Sequence, residues 1–327
     1  MKTNIFWVLM LSGFTVFGQK PVAVIFDTDI GPDYDDVGAI TILHAFADRG
    51  EAKILATISC NAFETTAPTL SVINTYFNRP EIPVGVIKSD FPNKSCSQGW
   101  AQAIVRDYPH NIKSNAEAEG ALALYRKILA SQPDGSVTIV SVGFFSNLAK
   151  LLDSGPDAYS DLNGKDLVKK KVKRLVSMAA RLGMNDSGAY EFNVATDPGS
   201  SKKVFSEWPG PVILSGFGIG EKILTGIGLI NNEAIQHSPV KDAFRIALAA
   251  DHNSVGRNSW DETAVWVAVR GFEPYFGFRR LNLSILPDGK NIIIPGDKFI
   301  WLEFKAQPDA IARGLEQLMM HQPGKKE

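Results

Sequence analysis

Short strand-like apolar runs alternate along this sequence with longer segments that have helical spacing. The runs lie at 22–26, 54–59, 137–142, 172–178 and 211–214, and the helical segments at 37–46, 68–77, 118–130 and 146–152. A strand that is apolar on both faces must be covered by helices on both sides of its sheet. The alternation therefore predicts an α/β fold with a mainly parallel central sheet covered by helices.

A second local pattern is found near the C-terminus. Asp288 and Gly289 separate two extended runs, at 281–286 and 291–294. An Asp-Gly pair between such runs is a strong signal for a β-hairpin. We therefore expect one antiparallel hairpin beside the parallel strands, within a single α/β domain that spans 19–327.

The N-terminus has the pattern of an export signal. Lys2 precedes an apolar run at 5–17, which ends before the small residue Gly18. A charged start, an apolar run and a small-residue end are typical of a signal peptide, here 1–18. The alternative is an uncleaved membrane anchor, but the run is shorter than the roughly 20 residues of a spanning helix. We expect export to the periplasm or the extracellular space, without a stable membrane anchor.

Charge and cysteine content exclude some classes of function. Lysine and arginine number 34 and aspartate and glutamate 35, for a formal net charge of -1. Without a basic excess, a nucleic acid polymer is not an expected partner, whereas a small molecule is. The two cysteines, Cys60 and Cys96, could pair after export, but a core of this size needs no disulfide, and Cys60 is expected to be a buried thiol.

The densest chemistry is an aspartate cluster at 27–36, in which five of ten residues are Asp. The cluster follows a predicted buried strand, at the edge of an α/β sheet where ligands bind. Carboxylates this close repel one another, and a hard divalent cation such as calcium offsets that repulsion. The glycine at position 31 allows the chain to fold around one point. A solvated acidic turn and an Asp-x-Asp phosphatase remain as alternatives.

The same stretch resembles the Asp-x-Asp-x-Gly-x-Asp-Asp hallmark of the inosine-uridine preferring nucleoside hydrolases, which are calcium-dependent N-ribohydrolases with an open α/β sheet. Two extra residues are inserted here, as in some more distant members. Further segments of similarity lie at 58–61, 140–149, 185–193 and 259–264. The resemblance thus extends over nearly all of the chain after the export signal.

The resemblance implies a calcium site and a catalytic base. The implied metal ligands are the carboxylates of Asp29, Asp36 and Asp261 and the main-chain carbonyl of Val142. The implied base, which takes a proton from a calcium-bound water, is Asp35. Because of the two-residue insertion, Asp33 is a competitor for that role.

The resemblance also implies contacts to the substrate. The implied ribose-binding residues are Asn61, Asn185, Glu191 and Asn193, although each Asn alone could be a turn or cap residue. Many members have a histidine acid immediately before the last metal aspartate, where this chain has Trp260. An indole cannot supply a proton, but it can stack on a base.

We therefore predict that Trp260 stacks on the base, with Trp100 as its second face, and that purine nucleosides are preferred. The alternative for Trp260 is packing in the core. The alternative acids for the leaving base are His44, His110 and His252.

The function implied is calcium-dependent hydrolysis of the N-glycosidic bond of ribonucleosides, to ribose and free base, as in purine salvage. Two alternatives stay open: a relative that binds a riboside without cleaving it, and an N-ribohydrolase of a modified or nicotinamide riboside. Members of the family commonly form dimers or tetramers, which leaves a homo-oligomer as an option.

Overall fold

A computed structural model describes residues 20–89 and 91–324, so the signal peptide predicted over 1–18 lies outside the described residues. Eleven strands are present in that part of the chain. They are β1 (Val22–Thr28), β2 (Ala52–Ser59), β3 (Val84–Val86), β4 (Glu119–Gly120), β5 (Val137–Ser141), β6 (Val172–Met178), β7 (Val212–Ser215), β8 (Leu224–Thr225), β9 (Arg257–Asn258), β10 (Phe276–Ile285) and β11 (Asn291–Phe304).

The helices separate most of these strands along the chain, as the alternating pattern predicts. They are α1 (Asp35–Asp48), α2 (Thr66–Tyr76), α3 (Trp100–Asp107), α4 (Ala121–Ser131), α5 (Ser146–Asp153), α6 (Gly164–Lys171), α7 (Phe192–Thr196), α8 (Pro198–Glu207), α9 (Phe217–Gly220), α10 (Ile227–Asn231), α11 (Pro239–Ala250), α12 (Trp260–Arg270) and α13 (Pro308–Met319), with a 3-10 turn at Met184–Asp186.

Nine strands form one sheet in the order β10-β11-β7-β6-β5-β1-β2-β3-β4. Every neighbouring pair in it is parallel except β10 and β11. The predicted mainly parallel sheet covered by helices is therefore confirmed. The predicted hairpin is the antiparallel pair of β10 and β11, and β8 and β9 form a separate two-stranded sheet.

Strand β1 shows why its sequence is continuously apolar. Val24 and Phe26 are fully buried in the core on one face of the sheet, whereas Ile25 is fully buried in the core on the other. Successive side chains of a strand point to opposite faces. Both faces are covered by helices, so each position along the middle of β1 is selected to be apolar.

The order of the strands reverses direction beside β1. This strand pairs with β2 on one side and with β5 on the other. The chain therefore adds β2 to β4 on one side of β1 and the later strands of this sheet, from β5 onward, on the other side. Such a switch point opens a crevice at the carboxyl ends of the strands. Asp29 follows β1 there and Val142 follows β5. A Cβ atom at Gly143 would lie 2.4 Å from the Asp29 amide nitrogen, so only glycine permits this close approach.

Two further observations concern membranes and cysteines. Within the described residues, no helix combines the length and the hydropathy needed to cross a membrane. Cys60 and Cys96 are both buried free thiols, in agreement with the expectation that the core needs no disulfide.

Candidate active site

A cavity opens at the carboxyl ends of β1, β5, β6 and β7. Nine of the twelve residues predicted from the sequence line it: Asp29, Asp33, Asp35, Asp36, Val142, Glu191, Asn193, Trp260 and Asp261. Met178, Phe192, Phe217 and Arg257 line it as well. Segments separated by more than 200 residues of sequence therefore meet in one acidic and aromatic cavity.

Two helix N-termini supply the carboxylates on one side of the cavity. Helix α1 begins with Asp35 and Asp36, and helix α12 has Asp261 in its first turn. One carboxylate oxygen from each of these three residues lies within 4.8 Å of the other two. The partial positive charge at a helix N-terminus stabilises nearby carboxylates, which lets the fold hold three of them together.

The buried carboxylates in the cavity repel one another. Burial and the neighbouring aspartates raise the pKa values of Asp29, Asp36 and Asp261 well above the ordinary range. Within the described part of the chain, Oδ2 of Asp29 and Oδ2 of Asp36 have no hydrogen-bond partner although both are buried. An unpartnered buried carboxylate oxygen is costly, and a cation would satisfy it.

Arg257 supplies part of the opposing charge. Its Nη2 lies 2.6 Å from Oδ1 of Asp33 and 2.8 Å from Oδ1 of Asp35. Burial opposes its charge, but the two aspartates raise the pKa of the guanidinium. The sequence prediction missed this residue. The signal that could have found it is the need for positive charge beside five aspartates, together with its position three residues before Trp260.

Asp27 lies beneath the cavity rather than in it. Its Oδ2 accepts hydrogen bonds from the Tyr125 hydroxyl at 2.7 Å and from Nδ2 of Asn147 at 3.1 Å. Burial raises the pKa of this carboxyl to about 7. These contacts tie the end of β1 to α4 and α5, and so they position the turn that carries Asp29.

Glu191 and Asn193 form one hydrogen-bonded unit at the start of α7. The Glu191 carboxylate accepts hydrogen bonds from the backbone N–H groups of Ala180, Asn193 and Val194. Asn193 in turn donates from Nδ2 to the Val142 carbonyl at 3.0 Å. Glu191 therefore acts as a helix cap that fixes Asn193, while Asn193 reaches the predicted metal-binding carbonyl.

Three aromatic rings form the apolar wall of the cavity. Trp260 donates its indole N–H to the Phe217 carbonyl at 2.8 Å, and the two ring centroids are 5.0 Å apart. Phe192 lines the same cavity and is 44% exposed, which leaves part of its ring open to a ligand. Trp260 therefore lies in the cavity wall as expected, and the neighbouring ring belongs to Phe217.

The structure corrects the prediction for Trp100. Its side chain is fully buried in the hydrophobic core at the start of α3, and it does not line the cavity. Apolar surface favours burial whether or not a ligand site is near. Its ring therefore cannot stack on a base in this structure.

Two predicted ribose contacts are also not brought to the cavity. Asn61 is fully buried and donates from Nδ2 to the carbonyls of Asp29 at 3.0 Å and Lys94 at 2.8 Å. Its Oδ1 accepts from the amide of Lys94 at 2.8 Å. Both polar ends of the side chain are thus used to fasten two loops, which corrects the predicted ribose contact. Asn185 is exposed on the 3-10 turn, outside the cavity lining.

The histidines do not replace the missing acid. All five fall within the described residues, and none lines the cavity. His44 is buried against Asn74 and Phe77, and burial lowers its pKa to about 3. His110 hydrogen-bonds the Tyr108 carbonyl at 2.8 Å, and His252 is exposed.

The fold and the cavity define an open-sheet α/β protein with an acidic ligand site at the switch point of its strands. The family model described as inosine-uridine preferring nucleoside hydrolase matches residues 24–299. The chain belongs to that family.

Sequence relatives are more distant. The chain is 26% identical over 211 residues to the pyrimidine-specific ribonucleoside hydrolase RihA of Escherichia coli (strain SMS-3-5 / SECEC), a match that covers 59% of this chain. The aligned segment spans 60% of the length of that relative.

Solved structures share the fold over most of the chain. A plant nucleoside hydrolase, PpNRh1, has a TM-score of 0.68 at 17% identity and covers 92% of this chain and 99% of its own. A purine-preferring ribonucleoside hydrolase from Gardnerella vaginalis has a TM-score of 0.68 at 17% identity and covers 91% of this chain and 98% of its own. At these identities the similarity establishes the fold alone.

Proposed function

We propose that this protein hydrolyses the N-glycosidic bond of ribonucleosides, using a water activated at a calcium site. Family membership supports the reaction class. The observation that carries the proposal is the pair of unpartnered buried oxygens, Asp29 Oδ2 and Asp36 Oδ2, in a cavity that also holds Asp261. Such a cluster has no structural purpose of its own, because burying it opposes folding.

The donor set fits calcium. Calcium takes six to eight oxygen ligands, including carboxylates and backbone carbonyls. Asp29, Asp36, Asp261 and the Val142 carbonyl would hold the ion, and all four residues line the cavity. The close grouping of Asp35 with Asp36 and Asp261 adds a further carboxylate oxygen at the same place. When bound, the ion supplies positive charge and a water of lowered pKa.

The contacts of the aspartate carboxylates distinguish the candidates for the catalytic base. Oδ1 of Asp35 already accepts two hydrogen bonds from Arg257, and Asp33 is paired with the same guanidinium. Asp29 forms no ion pair with Arg257 in the described part of the chain, and one of its buried oxygens has no hydrogen-bond partner there. We therefore propose Asp29, in place of the Asp35 or Asp33 expected from the sequence, as the catalytic base: one of its oxygens would hold the ion, and the other would take the proton of the attacking water.

The ribose would bind between the carboxylates and α7. Asn193 lines the cavity, and its Nδ2 is committed to the carbonyls of Val142 and Met178. Its Oδ1 is therefore the atom available to a ribose hydroxyl. Asp35 and Asp33 present carboxylate oxygens on the other side. These groups would orient the anomeric carbon toward Asp29 and stabilise the positive charge that develops on the sugar.

We further propose that purine nucleosides are the better substrates. The support is the wall of Phe192, Phe217 and Trp260, since a larger base gains more from aromatic stacking. The Escherichia coli relatives are named pyrimidine-specific, and the Gardnerella vaginalis structure is named purine-preferring. The names of the relatives therefore point both ways, and the preferred nucleobase is to be measured on this chain.

The test is to incubate the purified protein with inosine, guanosine, uridine and cytidine, each with calcium or with a chelator. Free base is separated chromatographically, and ribose is measured as reducing sugar. Release of both products that needs calcium, and is fastest for a purine, is the expected result. Release that the chelator does not reduce would overturn the calcium site. Calcium-dependent binding of inosine without any release would favour the riboside-binding alternative.

A further inference from the structure

Arg257 occupies a special place in the cavity. Among the residues that the structure describes, it is the only basic one in the cavity lining. Its guanidinium carbon lies 5.0 Å from the ring centroid of Trp260 and 5.0 Å from that of Tyr34. Its Nη2 contacts Asp33 and Asp35. The guanidinium thus bridges the carboxylates, where the ribose is proposed to bind, and the aromatic wall, where the base is proposed to bind.

Cleavage of the N-glycosidic bond leaves negative charge on the departing base, beside Arg257. When the bond between the anomeric carbon and the base nitrogen breaks, the base leaves with both bonding electrons. A cavity lined by five aspartates disfavours an additional negative charge. No histidine lines the cavity, and the indole N–H of Trp260 is already donated to the Phe217 carbonyl. Two other cations lie over rings of the aromatic wall, Lys94 at 5.8 Å from the Phe192 centroid and Arg181 at 4.3 Å from the Phe217 centroid, but neither lines the cavity.

Resting on the proposed function, we propose that the Arg257 guanidinium stabilises the departing base as an anion and so replaces a proton-donating acid. The water oxygen forms the new bond to the anomeric carbon, and its proton goes to Asp29. The bond to the base nitrogen breaks, and its electron pair stays on the base beside Arg257. On release the base takes a proton from solvent and Asp29 returns its proton to solvent, so the products are ribose and neutral base.

The contacts of Arg257 suit this role. Its Nε and Nη2 are both directed at Oδ1 of Asp35, at 3.0 and 2.8 Å, which fixes the plane of the guanidinium. Nη1 makes no hydrogen bond to any residue that the structure describes, so a donor remains for a ligand. A donor that is fixed before the reaction costs no reorganisation when charge develops. Arginine stays charged throughout, so it acts by hydrogen bonding and charge, not by losing a proton.

The decisive experiment compares two leaving groups. Inosine needs help to expel its base, whereas the nitrophenolate of p-nitrophenyl β-ribofuranoside is a stable anion without it. Arg257→Gln is expected to lower kcat on inosine by about 10²- to 10³-fold, the usual effect of losing one such donor. Its kcat on the nitrophenyl riboside should fall by less than about tenfold. Arg257→Lys keeps the charge but loses the planar fork, and an intermediate loss confined to inosine is expected.

The controls separate this role from a structural one. Arg245→Gln removes an exposed arginine of α11 that pairs with Asp242, outside the cavity lining, and it should change neither rate. All rates are measured at saturating calcium, after calorimetric titration of the ion with each variant. Equal losses on both substrates for Arg257→Gln would show that Arg257 only holds the aspartates, which overturns the proposal. If the unaltered protein cleaves neither riboside, the proposed function fails and this inference fails with it.

Discussion

Arg257 donates two hydrogen bonds, from Nε at 3.0 Å and from Nη2 at 2.8 Å, to the same carboxylate oxygen of Asp35, which lies 222 residues earlier in the chain. The contact joins β9 to the N-terminus of α1. Because Oδ1 of Asp35 carries both bonds, its Oδ2 is the oxygen that remains for a ligand. The same contact holds the guanidinium over Trp260, so one ion pair organises both halves of the cavity.

Replacing the carboxylate of Asp29, directly after β1, should strongly reduce activity without unfolding the protein. Asp29→Asn keeps the side-chain shape but loses the charge and the proton-accepting oxygen. We expect calcium affinity to fall, and kcat on inosine to drop by about 10²- to 10⁴-fold, as for loss of a general base. Calorimetric calcium titration and base release measure the two effects.

The matched control is Asp161→Asn, which changes an exposed aspartate in a loop outside the cavity lining. It should leave both values unchanged. Normal calcium affinity and normal turnover in Asp29→Asn would exclude Asp29 from the site.

The chelated protein should lose stability as the pH rises. The folded state raises the pKa values of Asp29, Asp36 and Asp261 by burial, and that of Asp27 from 3.8 to about 7. Between the unfolded and the folded pKa values, the folded state binds more protons than the unfolded state, so the free energy of unfolding decreases with pH. For Asp27 this window runs from 3.8 to about 7.

Thermal unfolding at pH 5, 6, 7 and 8 tests this, with calcium and with chelator. Calcium needs the ionised carboxylates, so the gain in Tm on adding it should be larger at pH 8 than at pH 5. A Tm of the chelated protein that rises from pH 5 to pH 8 would contradict the electrostatic account of the cluster.

Replacing Trp260 in the cavity wall with a small residue should lower turnover more for a nucleoside with a large base than for one with a small base. Trp260→Ala removes a stacking surface worth about 1–3 kcal/mol per base, which corresponds to a loss of roughly 5- to 150-fold in kcat/KM for inosine. Uridine has a smaller ring and should lose less. Steady-state kinetics on both nucleosides measure the difference.

Trp260→Phe is the matched variant, since it keeps a ring but cannot donate to the Phe217 carbonyl. It should retain most of the activity on inosine. A proportional loss on inosine and uridine in Trp260→Ala would argue that the ring only shapes the backbone at the start of α12.

Changing Trp100 should affect stability and not the substrate. The ring is fully buried in the core, so Trp100→Ala is expected to lower the free energy of unfolding by about 3–5 kcal/mol. Trp100→Phe keeps most of the packing and should lose less. Denaturant unfolding gives the stability, and the KM for inosine measured on the folded fraction should stay unchanged in both variants. A higher KM with unchanged stability would show that Trp100 contacts the nucleobase after all.

Much of the fold was predictable because its signals are local. The apolar run of β1 reflects burial on both faces of the sheet, and each of its residues carries that requirement by itself. The Asp-Gly pair between β10 and β11 encodes a turn by its own backbone preferences. The aspartates at 27–36 likewise stand together in the chain, so their convergence did not depend on distant segments.

The residues that sequence reasoning missed or misplaced depend on distant segments. Trp100 follows a glycine in a loop, as a ligand-binding residue could, and only the packing around α3 shows that it is buried. Asn61 follows β2 at the ligand edge, but the backbone of Lys94 binds both of its polar ends. No residue close to Trp100 or Asn61 in the sequence indicates the contacts that keep each side chain out of the cavity.

By itself, the sequence determined the class of fold, the acidic turn after β1 and the adjacency of Trp260 and Asp261, because each depends on neighbouring residues. Only the tertiary structure decided that Arg257 neutralises Asp35, that Phe217 lies beside Trp260, and that Trp100 is in the core. Those contacts arise from the order of strands in the sheet, which brings together the ends of β1, β5, β6 and β7. A contact across 222 residues is set by that order and by charge, and no local pattern records it.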